Sequence, residues 1–195
     1  MNLFRYLTLT AISVTTLFAS DDVLQKFHGT YRGLRTISFS FSGGGAPAGR
    51  MVAKRGGLYR VVLGDRTVVS NGTTVWNATA STKTVIVSDY RPTSTDVSIE
   101  RVFFDVMSVY RSSVVSSKNG TTVIRLEAPD TQAQIAGISR VDLTCNSNLV
   151  VSHVSITSQG AVSNFAISKI LTNAKVTEST FTYNVSKGWQ VVDIR

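Results

Sequence analysis

The chain has 195 residues, of which 43% are hydrophobic and 16% are charged. This length fits one globular domain after removal of an export signal, and the apolar content excludes wholesale disorder. The formal net charge is +8, but the positive residues are scattered along the chain. A solvated basic surface is therefore favoured over nucleic-acid binding, and weak attraction to anionic lipid or to an acidic partner is the alternative.

The N-terminus has the pattern of a secretory signal peptide. Arg5 forms a short basic head, an apolar stretch runs from Leu7 to Phe18, and small residues precede Asp21. The apolar stretch is too short to anchor the protein in a membrane. We predict a signal peptide at 1–20 and an exported, soluble domain at 21–195; a buried N-terminal helix is the alternative.

The only cysteine, Cys145, lies far from the predicted cleavage site. An intramolecular disulfide is excluded, and no cysteine is available at the new N-terminus to carry a lipid. Cys145 alternates with polar residues in a strand-like segment, which favours a small buried hydrophobe over a nucleophile.

The predicted mature domain opens with a helix and continues as a meander of strands. The helix spans Asp21–Leu34, and its apolar residues recur at helical spacing. From Thr36 the period changes to two, with turn signals at Gly43–Pro47 and at Asn71-Gly72. Six short strands in about fifty residues predict one continuous antiparallel sheet.

The meander stops at Pro92, and the segment from Thr95 to about Arg111 predicts an internal helix. Its apolar residues cover well over one face, more than a surface helix needs. Core packing against the sheet is the simpler interpretation. The alternative is a helix with one side on the sheet and the other facing a ligand space.

Strands resume at Thr121–Glu127, and Pro129–Ala136 is predicted as a loop or a short helix. A second meander spans Gly137–Ile170, and strands at Phe181–Tyr183 and Trp189–Ile194 close the chain. The pattern predicts an α+β, mainly antiparallel fold with about eleven strands and two or three helices. A twisted sheet of this size tends to curl, which leaves a concave inner face.

The sequence offers no set of converging catalytic or metal-binding residues. His28 and His153 lack the spacing of a metal site, and no serine lies in a nucleophile elbow. The glycine tract Gly43–Gly45 lacks the features of a phosphate loop. We therefore expect no enzyme, no catalytic residue, no metal and no cofactor; an envelope hydrolase is the disfavoured alternative.

The concave face of the curled sheet is the natural ligand site, because it combines shape with apolar surface. We expect the following ten residues to line a lipid-binding cavity: Phe39, Phe41, Met51, Val61, Leu63, Trp76, Phe103, Phe104, Met107 and Tyr110.

Three stretches resemble LolA, the family of periplasmic outer-membrane lipoprotein carriers. Met51–Arg60 looks like the family's strand ending in Lys-Arg-Pro-x-x-Phe-Arg. Ser70–Trp76 is similar to its Ser-Asp-Gly-x-x-Leu-Trp hairpin, and Phe181–Asp193 is like its C-terminal Phe-x-Phe-x-x-Pro-x-Gly-x-x-Val-x-Asp. Order and spacing agree over nearly all of the predicted mature chain.

The resemblance implies an unclosed (half) β-barrel with a helical lid over an apolar cavity. It implies a soluble, monomeric periplasmic chaperone that binds the acyl chains of lipoproteins. The chaperone would receive them from an inner-membrane ATP-driven exporter and deliver them to an outer-membrane acceptor. Arg55 falls on the family's arginine that bonds to the lid and holds it shut without cargo; a solvated strand-end arginine is the alternative.

Three positions depart from the family pattern. Gly56 stands where the family usually has proline, Ser186 replaces the second proline near the C-terminus, and Phe41 occupies the place of a common glutamine. A divergent member fits these departures. The rival hypothesis is a periplasmic sensor of the same fold that binds lipid or lipoprotein and an anti-sigma-type partner. Such sensors carry an extra C-terminal domain, whereas this sequence ends soon after Asp193, which favours the carrier.

Overall fold

The structure of the protein, a computed structural model, describes residues 15–91 and 99–195. It begins with helix α1 (Thr15–Tyr31), which extends across the predicted cleavage position; the signal peptide itself stays a prediction. No helix in the described ranges is both long and apolar enough to cross a bilayer. The first meander has the predicted six strands: β1 (Thr36–Gly43), β2 (Ala46–Lys54), β3 (Leu58–Leu63), β4 (Arg66–Asn71), β5 (Thr74–Thr79) and β6 (Thr84–Asp89).

A helical stretch follows where the internal helix is predicted. It consists of a short helix α2 (Ile99–Arg101), a π-helical turn (Val102–Val106) and a short helix α3 (Met107–Val109). We call residues 99–109 the covering helix. The predicted start at Thr95 lies outside the described residues, and the helix ends slightly earlier than predicted.

The second meander contains one strand that the sequence analysis does not predict. Its strands are β7 (Arg111–Lys118), β8 (Thr121–Glu127), β9 (Ile138–Cys145), β10 (Val151–Ser158) and β11 (Ala161–Thr172). The unpredicted strand is β7, whose serine-rich sequence lacks the alternation of a half-buried strand. It lies at the edge of the sheet, where Val115 remains 49% exposed.

The C-terminal part differs from its prediction at one place. The strand predicted at Phe181–Tyr183 is wrong, because Glu178–Phe181 form a 3-10 turn. The chain then closes in strand β12 (Gln190–Asp193), which pairs in parallel with β6. A second 3-10 turn, Ile135–Gly137, lies between β8 and β9 where a loop or short helix is predicted.

All twelve strands form a single sheet in the order β12-β6-β5-β4-β3-β2-β1-β11-β10-β9-β8-β7. The pairing of β11 with β1 joins the two meanders, and the β12–β6 pair is the only parallel one among the described strands. The edges, β7 and β12, are not paired with each other, so the sheet is unclosed. The predicted α+β fold, an unclosed and mainly antiparallel sheet with helical cover, is confirmed.

The sheet is apolar on both faces, and each face has its own cover. On the inner face, a large apolar cluster joins the sheet to α1 and the covering helix. On the outer face, a smaller cluster lies under the C-terminal segment, which we define as residues 173–195. The sheet is therefore the middle layer between two different covers.

Candidate functional site

The inner face brings five of the predicted cavity residues into two neighbouring rows. Phe39 pairs with Met51, which pairs with Val61; in the next row, Phe41 and Leu63 flank a glycine. Paired residues on neighbouring antiparallel strands point to the same side of a sheet. The five side chains therefore share one surface, on which Leu63 is half-buried and the other four are buried.

The glycine in the second row, Gly49, makes room for the aromatic side chain beside it. A Cβ atom at this position would lie 2.7 Å from both Cζ of Phe41 and Cδ2 of Leu63. The absence of a side chain at Gly49 therefore lets the ring of Phe41 lie over the strand. This packing accommodates an aromatic residue at a position where the family commonly has glutamine.

The covering helix supplies the other apolar half of the predicted set. Four predicted residues come from this helix and from the residue after it, and all are buried: Phe103, Phe104, Met107 and Tyr110. The ring centroid of Phe103 lies 5.5 Å from that of Phe39 and 6.0 Å from that of Tyr31 in α1. Sheet, covering helix and α1 thus meet in one apolar cluster.

This cluster is nearly inaccessible in the observed arrangement. Its eight buried predicted residues are each at most 8% exposed. The covering helix is also anchored at its end, because the Tyr110 hydroxyl donates to the carbonyl of Ile138 and accepts from the N–H of Ile135 at 2.9 Å. Within the described ranges, α1 and the covering helix lie over these side chains and leave a ligand little exposed apolar surface.

Trp76, the tenth predicted residue, does not join the other nine. It pairs with Val69 and Val87 on the outer face. There it belongs to the small cluster that Tyr183 and Trp189 of the C-terminal segment complete. Strand β5 carries apolar residues on both sides, so its alternation does not reveal which side faces the cavity.

The C-terminal segment is held on the outer face by Arg60, which the sequence analysis does not single out. Its Nε donates to the carbonyl of Thr180 at 2.8 Å, and its Nη2 donates to that of Thr182 at 3.0 Å. Between them, Phe181 is 1% exposed. The signals in the sequence are a long cationic residue within an otherwise apolar strand and its place at the end of the Met51–Arg60 stretch.

Arg55 lies in the turn between β2 and β3 and contacts both covers of the inner face. Its Nε donates to the carbonyl of Leu34, just after α1, at 3.3 Å, and its Nη1 donates to that of Phe104 at 3.4 Å. The guanidinium carbon also lies 5.6 Å from the centroid of the Phe104 ring. Arg55 thus joins the rim of the sheet to α1 and to the covering helix.

The turn beside Arg55 explains one departure from the family pattern. Gly56 has a φ of +97°, in the region that favours glycine. Proline cannot take this conformation, because its ring fixes φ near −65°. The turn therefore has a different backbone path from one that carries proline at this position.

A pocket of about 320 Å³ opens next to this turn, and we call it the polar pocket. It lies between the β2–β3 turn, the end of β6 and the covering helix. The pocket is lined by Lys54, Gly56, Gly57, Leu58, Tyr90, Glu100, Arg101, Phe104 and Asp105. A Cβ atom on Gly57 would lie 2.5 Å from Cζ of Tyr90, so the glycine lets the tyrosine ring form one wall.

The polar pocket contains a buried carboxyl group that the sequence analysis does not predict. Glu100 is 7% exposed, and its Oε2 has no hydrogen-bond partner within the described structure. Burial raises the pKa of this carboxyl from its usual range to about 7, against smaller opposing effects of a hydrogen bond from the backbone N–H of Glu100 and of the charge on Arg101. The sequence signal is one acidic residue beside Ile99, at the start of the apolar helical pattern.

The other reactive groups lack the setting of a catalytic site. His28 in α1 forms a hydrogen bond through Nε2 to Oγ of Ser112 at 2.7 Å. Burial and, to a smaller extent, the charge of Arg32 lower the pKa of His28. Cys145 is 0% exposed, and burial raises the pKa of its thiol to about 12. Within the described ranges, no three His, Cys, Asp or Glu residues are close enough to hold a metal ion.

Comparisons with known proteins give one family and a set of distant structural relatives. The family profile described as outer membrane lipoprotein carrier protein LolA matches residues 45–184. No curated protein matches the chain.

The solved structures are similar in fold alone. An uncharacterized conserved protein from Thermus thermophilus has 15% identity and a TM-score of 0.53, with 89% of this chain and 98% of that one covered. A DUF1329 family protein from Desulfovibrio piger has 11% identity and a TM-score of 0.47, with coverage of 86% and 97%. MucB has 15% identity and a TM-score of 0.39, with coverage of 91% and 66%.

Proposed function

This chain belongs to the outer membrane lipoprotein carrier family LolA, and from that premise we propose that it carries lipoproteins through the periplasm. It binds their acyl chains on the inner face of the sheet, receives them from an inner-membrane ATP-driven exporter and delivers them to an outer-membrane acceptor. The observation that supports this most is Arg55, which joins both covers at the rim of a buried apolar surface.

The energetics of acyl binding favour a cover that must be displaced. One chain of about fifteen methylenes gains roughly 12 kcal/mol on burial, at about 0.8 kcal/mol per methylene. Three chains would exceed the practical limit of affinity, near 20 kcal/mol, and a carrier must also release. The covering helix lowers this affinity, because its own apolar side chains occupy the inner face when no ligand does.

The contacts of Arg55 have the strength expected of a contact that closes the cover reversibly. Hydrogen bonds of 3.3 and 3.4 Å lie at the long end of the normal range. Each contributes about 1 kcal/mol or less, with a similar contribution from the cation over the Phe104 ring. Such a contact biases the cover toward closure without preventing an exporter from opening it.

The test is lipoprotein transfer by Arg55→Leu in a reconstituted system. We expect the variant to accept cargo and to release it to acceptor membranes about tenfold more slowly, since the loss of about 1.4 kcal/mol from the closed form favours the loaded one. Arg50→Leu is the matched control, because Arg50 is exposed on the outer face of the preceding strand, β2. Normal release by Arg55→Leu would remove Arg55 from the mechanism.

The carrier proposal itself is tested by what the wild-type protein captures. Pull-down from periplasm followed by mass spectrometry should recover triacylated lipoproteins. Recovery of an anti-sigma-type protein without lipoproteins would favour the sensor hypothesis instead.

A further inference from the structure

We propose that the polar pocket is a second binding site, which takes the peptide amide groups next to the acylated end of the cargo. In this site the carboxylate of Glu100 accepts a hydrogen bond from a cargo N–H. The inference rests on the proposed function, because it concerns the polar end of the same ligand.

Glu100 has a buried hydrogen-bond acceptor without a partner in the described structure. Buried polar side-chain atoms almost always have a hydrogen-bond partner, and leaving one unsatisfied costs about 1–3 kcal/mol. Oε2 of Glu100 is buried without one in the described structure, although it borders a pocket with room for a ligand. The volume of about 320 Å³ lies at the lower end of the range for small-molecule sites.

The charges that line the polar pocket favour a ligand that donates hydrogen bonds. Lys54 is paired with Glu178, and Arg101 donates to the carbonyl of Arg91, so both cations that line the pocket already have acceptors. Asp105 lines the same pocket and adds a second carboxyl group. A carboxylate or phosphate ligand would therefore meet acidic oxygens, whereas a peptide N–H would satisfy Glu100.

The polar pocket adjoins the apolar cluster of the inner face. Phe104 lines it and also belongs to the apolar cluster of the inner face. A ligand that crosses Phe104 places its polar end beside Glu100 and its apolar part on the inner face. An acylated peptide has this division, with amide groups directly after its hydrocarbon chains.

The experiment compares two probes with the same acyl chain. N-palmitoyl-glycylglycinamide offers amide N–H groups, and palmitic acid methyl ester offers none. Their dissociation constants are measured at about pH 8, where Glu100 is mostly ionised, by competition with a fluorescent fatty acid, for wild type, Glu100→Leu and the control Glu178→Gln. Glu178 is suited as control because its side chain is 70% exposed and does not line the pocket, and because the amide oxygen of glutamine still offers Lys54 an acceptor.

We expect Glu100→Leu to lower the preference for the amide probe about tenfold and to leave ester binding unchanged. A tenfold change corresponds to about 1.4 kcal/mol, close to the value of a hydrogen bond to a charged group. Glu100→Leu should remain folded by circular dichroism, because an apolar side chain of similar size replaces a buried ionisable one. Glu178→Gln should behave as wild type.

Three results would overturn the proposal, and the third would also reject the carrier function. An unchanged preference in Glu100→Leu, or an equal loss in Glu178→Gln, removes the Glu100 site and leaves the carrier function standing. Failure of wild type to bind either probe rejects the carrier function together with the site.

Discussion

At the scale of single residues, Glu100 stands out as a buried acidic group at the edge of a pocket. Its carboxyl is buried at the boundary between the covering helix and the polar pocket, and burial raises its pKa from 4.5 to about 7. Arg101 lowers this pKa and Asp105 raises it, but both effects are smaller than that of burial. The folded protein therefore holds a proton between these pH values that the unfolded chain releases.

We predict that the buried carboxyl of Glu100 destabilises the fold increasingly as pH rises. Because the folded state binds more protons than the unfolded state, stability falls as pH rises from about 4.5 to about 7 and levels off above. A shift of this size corresponds to about 3 kcal/mol, at about 1.4 kcal/mol per pH unit. Glu100→Gln keeps the neutral form at every pH and removes this contribution.

Urea unfolding of both proteins between about pH 4 and about pH 8 measures the effect. The stability of Glu100→Gln relative to wild type should increase by about 3 kcal/mol across this range. Taking the difference cancels the titration of His28, whose lowered pKa acts on both proteins alike. Parallel stability curves would show that Glu100 is solvated and ionised.

Clean alternation in the sequence indicates on which face of the sheet a residue lies, whereas a strand that is apolar on both sides does not. Phe39 and Phe41 alternate with serines in β1, and both lie on the inner face. Trp76 lies in a strand that is apolar on both sides, and the structure places it on the outer face. Glu100 could not be found from its sequence position, because its burial depends on how the covering helix meets the β2–β3 turn.

At the scale of elements, α1 behaves as one of two covers and carries its own anchor. The hydroxyl of Tyr31 accepts a hydrogen bond from the N–H of Val151 at 3.2 Å. Val151 pairs with Cys145, whose thiol lies close to Tyr31. The native cysteine is therefore a probe of whether α1 is docked.

We predict that Arg55→Leu speeds the reaction of Cys145 with a disulfide reagent at about pH 8. In the docked state the thiol is buried and its pKa is about 12, so almost none is ionised. Loss of the contacts to Leu34 and Phe104 increases the undocked population about tenfold, for about 1.4 kcal/mol. Labelling should be faster by the same factor.

Arg50→Leu should label at the wild-type rate, since the change lies on the outer face. Equal rates for wild type and Arg55→Leu would mean that Arg55 does not hold α1 in place. The measurement uses the isolated protein, so it is independent of any exporter or acceptor.

The sequence predicts the order of the elements well, and their details less well. The meander β1–β6 follows from turn signals and a period of two, which are local properties. The π-helical turn of the covering helix depends on contacts with the sheet, so helical spacing alone predicts an ordinary helix. β7 is missed because an edge strand needs no buried face, and β12 depends on the distant β6.

At the scale of the whole molecule, one sheet separates two apolar clusters, and different hydrogen bonds hold the cover of each. The inner cluster lies under α1 and the covering helix, which long hydrogen bonds from Arg55 join to the rim. The outer cluster lies under the C-terminal segment, which shorter bonds from Arg60 hold. The longer bonds of Arg55 support the proposal that the inner cover opens for a ligand.

Tryptophan fluorescence separates the two faces. The chain has two tryptophans, Trp76 and Trp189, and both lie in the outer cluster. We predict that a saturating palmitoyl peptide leaves their emission maximum unchanged, because the proposed binding surface for acyl chains is the opposite face.

Arg60→Met should shift the same emission to longer wavelength, since loss of the bonds to Thr180 and Thr182 loosens the C-terminal segment and hydrates the indoles. Arg66→Met is the control, because Arg66 donates to Asn77 within the sheet. An emission shift on ligand binding as large as that of Arg60→Met would place the acyl chains under the C-terminal segment. The inner face would then lose its role as the proposed binding surface, since a rigid sheet gives a ligand on one side little means to change the surroundings of indoles on the other.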